Sequence, residues 1–309
     1  MKILLSTRII IAIFTNIPLG PRRMLFRALF MLFYHVSPRH RFITLHNLTR
    51  SFPEKTSHEI RKIAKNVYRS LGTTAAEFFQ IPSLAQNNNF ESLIRTQGRE
   101  HYEKALAKKK GIIFFTAHLG NWELMASYFG RHMQKGHIIY RSLDNPIMEN
   151  LAAWERSYTG NVLIPTGGAI RKILEVLKKN GIIGILIDQN VSWREGVFVD
   201  FFGRPACTST GLAELALTTD AALLPAFNHR LADGTYLFTI LEEYQVVRSG
   251  DYERDIIENT RKITDIVEDM VRDYPDQWFW LHQRWKTKPV QALGRTRRLS
   301  FLESKLQGS

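Results

Sequence analysis

With 309 residues and 44% hydrophobic content the chain can bury a full core, and its single cysteine, Cys207, excludes an intrachain disulfide framework and suits a reducing compartment. No repeat of about 20 to 50 residues and no low-complexity linker appears, which excludes solenoid and array architectures. The formal charge of +13 is uneven. Residues 1–69 carry thirteen Lys/Arg against Glu54 and Glu59, and residues 286–309 carry six against Glu303, so the chain between them is slightly acidic. Positive charge that tracks the ends, and not a stripe over the middle, favours an anionic membrane surface over nucleic acid as partner.

The N-terminal end is also apolar. Ile3 to Leu19 and Met24 to Val36 are rich in Ile, Leu and Phe, interleaved with Arg8, Arg22, Arg23 and Arg27. A spanning helix needs about 20 apolar residues. The first stretch is shorter and stops at Pro18-Leu19-Gly20-Pro21, so a helix lying in the interface is as well supported as a clean span, with a buried hydrophobic hairpin as the plain alternative. No small-residue cleavage site follows it, which argues against a removed signal peptide. The expected organisation is a membrane-anchoring segment over 1–38, one catalytic unit over 39–289, and a basic tail over 290–309.

After Pro53, Thr56-x-x-Glu59 is a capping box that opens a helix with Ile60, Ile63, Ala64, Val67 and Leu71 on one stripe. Ile112 to Phe115 reads as a buried strand and Trp122 to Met125 begins a helix. Farther on, a helix over 170–177 leads into a strand over 182–187, and a helix over 210–217 into a strand over 222–227. An antiparallel pair around 235–247 and a helix over 252–272 follow. Strand and helix alternate, predicting an α/β fold with a mostly parallel central sheet flanked by helices and an N-terminal apolar anchoring helix.

His118 follows the first of these strands and Glu123 comes five residues later. Ligands bind at the carboxyl ends of strands in open α/β sheets. With His118 ahead of the helix and Glu123 in its first turn, Glu123 can accept the proton of one ring nitrogen and leave the other to act as a base. The plain alternative is a satisfied histidine under a loop and a solvated glutamate. A helical zinc site needs two histidines four residues apart, which this segment lacks. The chain also lacks a Gly-x-Ser-x-Gly elbow and a phosphate-cradling Gly-rich loop, so an acyl-serine intermediate and nucleotide chemistry are not indicated.

The block His118-Leu-Gly120-Asn121-Trp122-Glu123 resembles the His-x4-Asp/Glu motif of the glycerolipid acyltransferase superfamily, in the form typical of bacterial lipid A late acyltransferases. Tyr140-Arg141 with Asn145-Pro146, then Asp188-Gln189, then Phe201-Phe202-Gly203-Arg204-Pro205 with Thr208-Ser209-Thr210-Gly211, and finally Gln277 to Trp285, resemble that family's later blocks in order. The resemblance spans roughly Arg41 to Pro289. It implies direct acyl transfer, without cofactor or metal, from acyl-acyl carrier protein to a hydroxyl of a Kdo-bearing lipid A precursor. It also implies an enzyme anchored at the cytoplasmic face of the inner membrane. The alternative acceptors are another membrane glycolipid of the mannosylated phosphoinositide type or an ornithine lipid.

On that reading His118 is the general base and Glu123 its orienter. Amides at Leu119, Gly120 and Asn121 are candidate oxyanion donors. Arg141 is expected to engage an anionic group of the acceptor, with Arg284 a weaker candidate. Asp188 is expected to orient Arg141 or the acceptor, and Asn145 and Gln189 to line the substrate site. Gly167-Gly168 ahead of a helix is a further anion candidate, and Trp278, Trp280 and Trp285 either wall an acyl pocket or belong to the core.

Overall fold

The computed structural model describes residues 4–156 and 158–289, so the basic tail expected over 290–309 lies outside the described residues. Four helices open the chain: α1 (Leu5–Asn16), α2 (Leu19–Val36), α3 (Pro38–Ser51) and α4 (Ser57–Phe78). The capping box forms as expected, with the Thr56 hydroxyl accepting the Glu59 amide and the Glu59 carboxylate accepting the Thr56 amide. A short α5 (Ile81–Gln86) then leads to β1 (Ile94–Gln97) and α6 (Arg99–Ala107). The alternating middle follows as β2 (Ile112–Thr116), α7 (Trp122–His132), β3 (Gly136–Tyr140), α8 (Pro146–Arg156), β4 (Val162–Pro165), α9 (Ala169–Lys178) and β5 (Ile182–Leu186). The chain continues through β6 (Gly196–Phe201), β7 (Arg204–Ser209), α10 (Gly211–Thr218), β8 (Ala222–Arg230), β9 (Tyr236–Ile240) and α11 (Tyr252–Asp273).

Seven strands form one sheet in the order β1-β9-β8-β2-β5-β3-β4, and every pairing is parallel except β8 with β9. The expected α/β architecture is therefore present. β2 lies between β8 and β5 and is buried at all five positions, which accounts for its unbroken apolar run. Helices pack on both faces: Phe114 joins Leu124, Met125 and Phe129 of α7 in one core, whereas Ile113 and Phe115 join α9 and α10 in another.

Two expectations need correction. The antiparallel pair around 235–247 has only β9 from that stretch, and its partner is β8, the strand just before it in the chain. The segment 196–209 is a β6–β7 hairpin set apart from the main sheet, where the sequence had been read only as a motif. Its two-residue turn, Phe202-Gly203, has both residues at positive φ. A two-residue turn of that hand favours Asn-Gly. Here the bulky Phe202 is held by its contacts with Phe52, Trp280 and Arg272.

At the N-terminus, no helix among the described residues is long and apolar enough to cross a membrane. α1 is 12 residues long, about 18 Å at 1.5 Å per residue, against a hydrocarbon core of about 30 Å. α2 instead packs along α4, and Phe14 and Phe26 meet Phe79. The opposite sides of these helices expose Leu5, Ile9 and Ile13 on α1 and Leu25, Leu29, Leu32 and Val36 on α2. Those spacings put each set on a single stripe.

Candidate active site

The parallel register of β2 with β5 pairs Ile112 with Ile182 and Thr116 with Leu186. Continued two residues beyond both strand ends, that offset places His118 beside Asp188. The Asp188 Oδ1 accepts the His118 Nδ1–H at 2.8 Å, and its Oδ2 accepts the His118 backbone N–H at 2.9 Å and the Trp278 indole N–H at 2.7 Å. Asp188 is 3% exposed, so three donors replace the water it has lost. Burial pushes its carboxyl upward, but the His118 ring and these donors prevail and hold it at about 2. Burial likewise pulls His118 down, and the charge and hydrogen bond of Asp188 outweigh it and leave the imidazole raised above 6.5.

This arrangement corrects the expected role of Glu123. Glu123 does lie in the first turn of α7, but its carboxylate is gripped by the Arg156 guanidinium, Nη2 at 2.5 Å and Nε at 3.1 Å. The ring nitrogen that needed an acceptor takes one from the neighbouring strand end, seventy residues away. Glu123 still acts on His118 through space, since its charge raises the imidazole pKa and Arg156 opposes it. Behind this pair, Glu155 is fully buried and accepts the Ser127 hydroxyl at 2.8 Å. Burial and the Glu123 charge push its carboxyl well above the usual range.

The loop carrying His118 is pinned on every side. The Phe279 amide donates to the His118 carbonyl at 3.1 Å and the Gly120 amide to the Gln277 carbonyl at 2.9 Å, so residues 277–279 strap it down. Gly120 has φ of +61°, and a Cβ there would fall 1.8 Å from the Asn228 carbonyl oxygen. Asn121 is buried, caps α7 by accepting the Leu124 amide, and donates to Glu77 at 3.0 Å. The amides of Leu119 and Gly120 are both engaged, the former with Ala117, and this removes them as oxyanion donors.

Other expected residues fall apart from the imidazole. Arg141 is 81% exposed, beside Asp144, and does not meet the buried Asp188. Asn145 caps α8 by accepting the Ile147 and Met148 amides. Arg284 is 1% exposed and spends its guanidinium on the Cys207 carbonyl and the Thr208 hydroxyl, which makes it a buried rivet and not an anion contact. Trp278, Trp280 and Trp285 are core. Gln189 does reach the site: its amide nitrogen lies 3.4 Å from His118 Nε2, the ring nitrogen left free by Asp188.

Near the imidazole lies a narrow apolar slot of about 60 Å³ between α7 and the sheet. Phe114 and Thr116 of β2, Gly184 and Leu186 of β5, Ile138 of β3 and Met125 of α7 are among its walls. Trp122, which also lines it, meets the His118 ring at 5.1 Å between centroids. Trp122 is therefore shared between the slot and the imidazole, which is not itself among the slot's walls. Arg156 and this slot are the parts that sequence reading does not name. A usable signal existed for Asp188: Gly111-Ile-Ile-Phe-Phe-Thr-Ala-His118 and Gly181-Ile-Ile-Gly-Ile-Leu-Ile-Asp188 run in parallel, each with its polar residue in eighth place.

The model of a family described as bacterial lipid A biosynthesis acyltransferase matches residues 5–287. The chain is 29% identical over 249 residues to a lipid A biosynthesis lauroyltransferase of Escherichia coli K12, covering 79% of this chain and 78% of that protein. It is 25% identical over 254 residues to a lipid A biosynthesis palmitoleoyltransferase of the same organism, covering 82% and 80%. A phosphatidylinositol mannoside acyltransferase of Mycobacterium tuberculosis H37Rv is 27% identical over 225 residues, covering 70% and 68%.

Proposed function

Since this chain belongs to the bacterial lipid A biosynthesis acyltransferase family, and is an O-acyltransferase acting in lipid A biosynthesis, we propose that it moves a fatty acyl chain from acyl-acyl carrier protein to a hydroxyl of a Kdo-bearing lipid A precursor. The observation that carries the mechanism is the His118–Asp188 hydrogen bond, with Trp122 joining the ring to a nearby apolar slot. Asp188 holds the Nδ1–H tautomer, so Nε2 points its lone pair outward to the acceptor hydroxyl. As the hydroxyl oxygen attacks the thioester carbonyl, Nε2 takes its proton. The tetrahedral intermediate then collapses, the carbon–sulfur bond breaks, and the imidazolium returns the proton to the departing thiolate. No side chain becomes acylated.

The slot takes the acyl chain. Its enclosed volume, about 60 Å³, is well below the about 300–1,000 Å³ usual for ligand pockets, so an entering chain displaces the movable side chains that wall it, and those apolar walls exclude water from the thioester. Gln189 is placed beside the free ring nitrogen as a polar contact for the reacting groups. The Glu123–Arg156 pair contributes a fixed dipole next to the ring, not the hydrogen bond that selects its tautomer. The apolar stripes of α1 and α2, flanked by Arg8, Arg23 and Arg27, seat the protein in the interface of the inner membrane at its cytoplasmic face.

The test is turnover by purified protein with acyl-acyl carrier protein and a lipid A precursor, followed by mass spectrometry of the product. An added acyl mass that disappears with His118→Ala supports the reading, and full turnover by that variant overturns it. The mycobacterial relative's name makes a mannosylated phosphoinositide the acceptor to compare. Transfer to it in preference to the lipid A precursor would replace the acceptor and leave the chemistry intact.

A further inference from the structure

A second cleft, of about 670 Å³, opens between the first turns of α2 and the turn joining β8 to β9. Arg23, Arg27 and Arg230 line it, together with Met24 and Asp233. Their charges are not balanced. Glu77, 1% exposed, is the carboxylate they face, and Arg23 and Arg230 converge on its single Oε1 at 2.6 and 3.3 Å. Its Oε2 is already taken by the Asn121 amide at 3.0 Å and the Tyr236 hydroxyl at 2.6 Å. Asp233 contributes nothing to the balance, because Arg95 neutralises it at 2.7 Å. Arg27 donates through Nε to the Thr73 hydroxyl at 2.8 Å, and among the described residues no carboxylate pairs with it.

Three guanidiniums thus face one saturated carboxylate, an excess of two positive charges in a concave site. Partial desolvation of its head and then the charges of Arg230 and Arg23 pull the Arg27 pKa down, against the opposing charge of Glu77. A phosphate monoester carries about −1.5 to −2 at pH 7, matches that excess, and suits the forked geometry of arginine. The surroundings choose between a free and a lipid-borne phosphate. Met24, on the lip of the cleft, is 73% exposed, and Leu25 and Leu29 continue the apolar stripe along the same helix. An anion held here sits where the stripe would enter a bilayer.

We propose that this cleft binds the phosphate-monoester headgroup of a membrane lipid. The proposal rests on the interfacial seating of α1 and α2 argued above, and not on the acyl transfer itself. It also gives the headgroup a route to the catalytic loop. Glu77 is shared between the cleft and the Asn121 cap of α7, so the arginines that hold the phosphate hold, through one carboxylate, the residue three places after His118.

The experiment is co-sedimentation of the full chain with phosphatidylcholine vesicles containing either phosphatidic acid or phosphatidylglycerol, the two anionic sets matched in surface charge. The expected result is tighter retention on phosphatidic acid, reduced roughly tenfold by Arg27→Gln, as loss of one charge-assisted contact implies. Arg27 is exposed and its guanidinium hydrogen-bonds only the Thr73 hydroxyl, so its variant is expected to fold, and circular dichroism checks this. Equal retention on both anionic vesicles overturns the proposal, as does a preference that survives in folded Arg27→Gln. Inorganic phosphate that raises the melting temperature while vesicle preference is absent assigns the cleft to free phosphate and overturns the lipid. His118→Ala keeps the preference. If parent protein prefers phosphatidic acid but does not turn over, the acyltransferase mechanism fails and the cleft stands.

Discussion

With Nδ1 committed to Asp188, His118 has one nitrogen left for chemistry, and its protonation state sets the rate. The raised pKa means that at acidic pH the ring is charged and cannot accept a proton, so kcat/KM should climb with pH through a value above 6.5. Replacing Asp188 by Asn removes the charge that raises the imidazole while burial remains. The acidic limb should therefore shift to lower pH even as the rate falls, and a pH–rate profile of the variant checks both. An unshifted limb would show that Asp188 does not govern the ring. His118→Ala should cost about 10² to 10⁴-fold in kcat with little change in KM, measured with saturating thioester. Glu123→Gln should lose less, because its bond is to Arg156 and only its through-space charge on the ring disappears.

The elements explain why some of this was legible in sequence and some was not. Local signals served well: the Thr56–Glu59 box, the apolar run before His118 and the helix at Trp122 all appear where their patterns place them. Asn121 was seen as part of the site, yet its neighbours make it a helix cap, since a short amide beside a helix start reads the same in either role. The choice between Glu123 and Asp188 as orienter depends on strand order, which no local pattern encodes. Only the insertion of β5 beside β2 decides it. The slot is likewise a product of pairing, because Gly184 of β5 lies between α7 and Ile138 of β3. A Cβ at Gly184 would meet only the Ile138 Cδ1, the movable end of a side chain, at 2.9 Å. Gly184→Ala should therefore fold and narrow the slot, shifting preference toward shorter acyl donors. Competition between long and short acyl-acyl carrier proteins measures it, and an unchanged ratio would place the chain elsewhere. Gly120→Ala, by contrast, meets backbone and strains φ, so it should lower Tm and abolish turnover together.

At the scale of the whole molecule the helices that carry the apolar stripes are held from below, α2 along α4 and α1 against α8, with basic residues beside both stripes. Seating on a bilayer through these stripes should be part hydrophobic and part electrostatic. Vesicle retention should weaken with salt but not vanish, since screening acts on the arginines and leaves the leucines untouched. Replacing Leu25, Leu29 and Leu32 together by Gln should remove the salt-resistant fraction, whereas turnover on detergent-dispersed acceptor should persist. Loss of activity in detergent as well would mean that these side chains support the fold and not the interface.

The acid that steadies the imidazole is the width of one strand away in space and seventy residues away along the chain, and its indole donor, Trp278, is ninety residues farther still. A polypeptide cut short after α7 holds the base without its partner; one that ends before the last tryptophan-rich turn holds both but leaves the acid half-secured. Competence is therefore a property of the finished chain alone. A partly made or clipped protein, even one already resting on the bilayer, has no means of spending activated fatty acid.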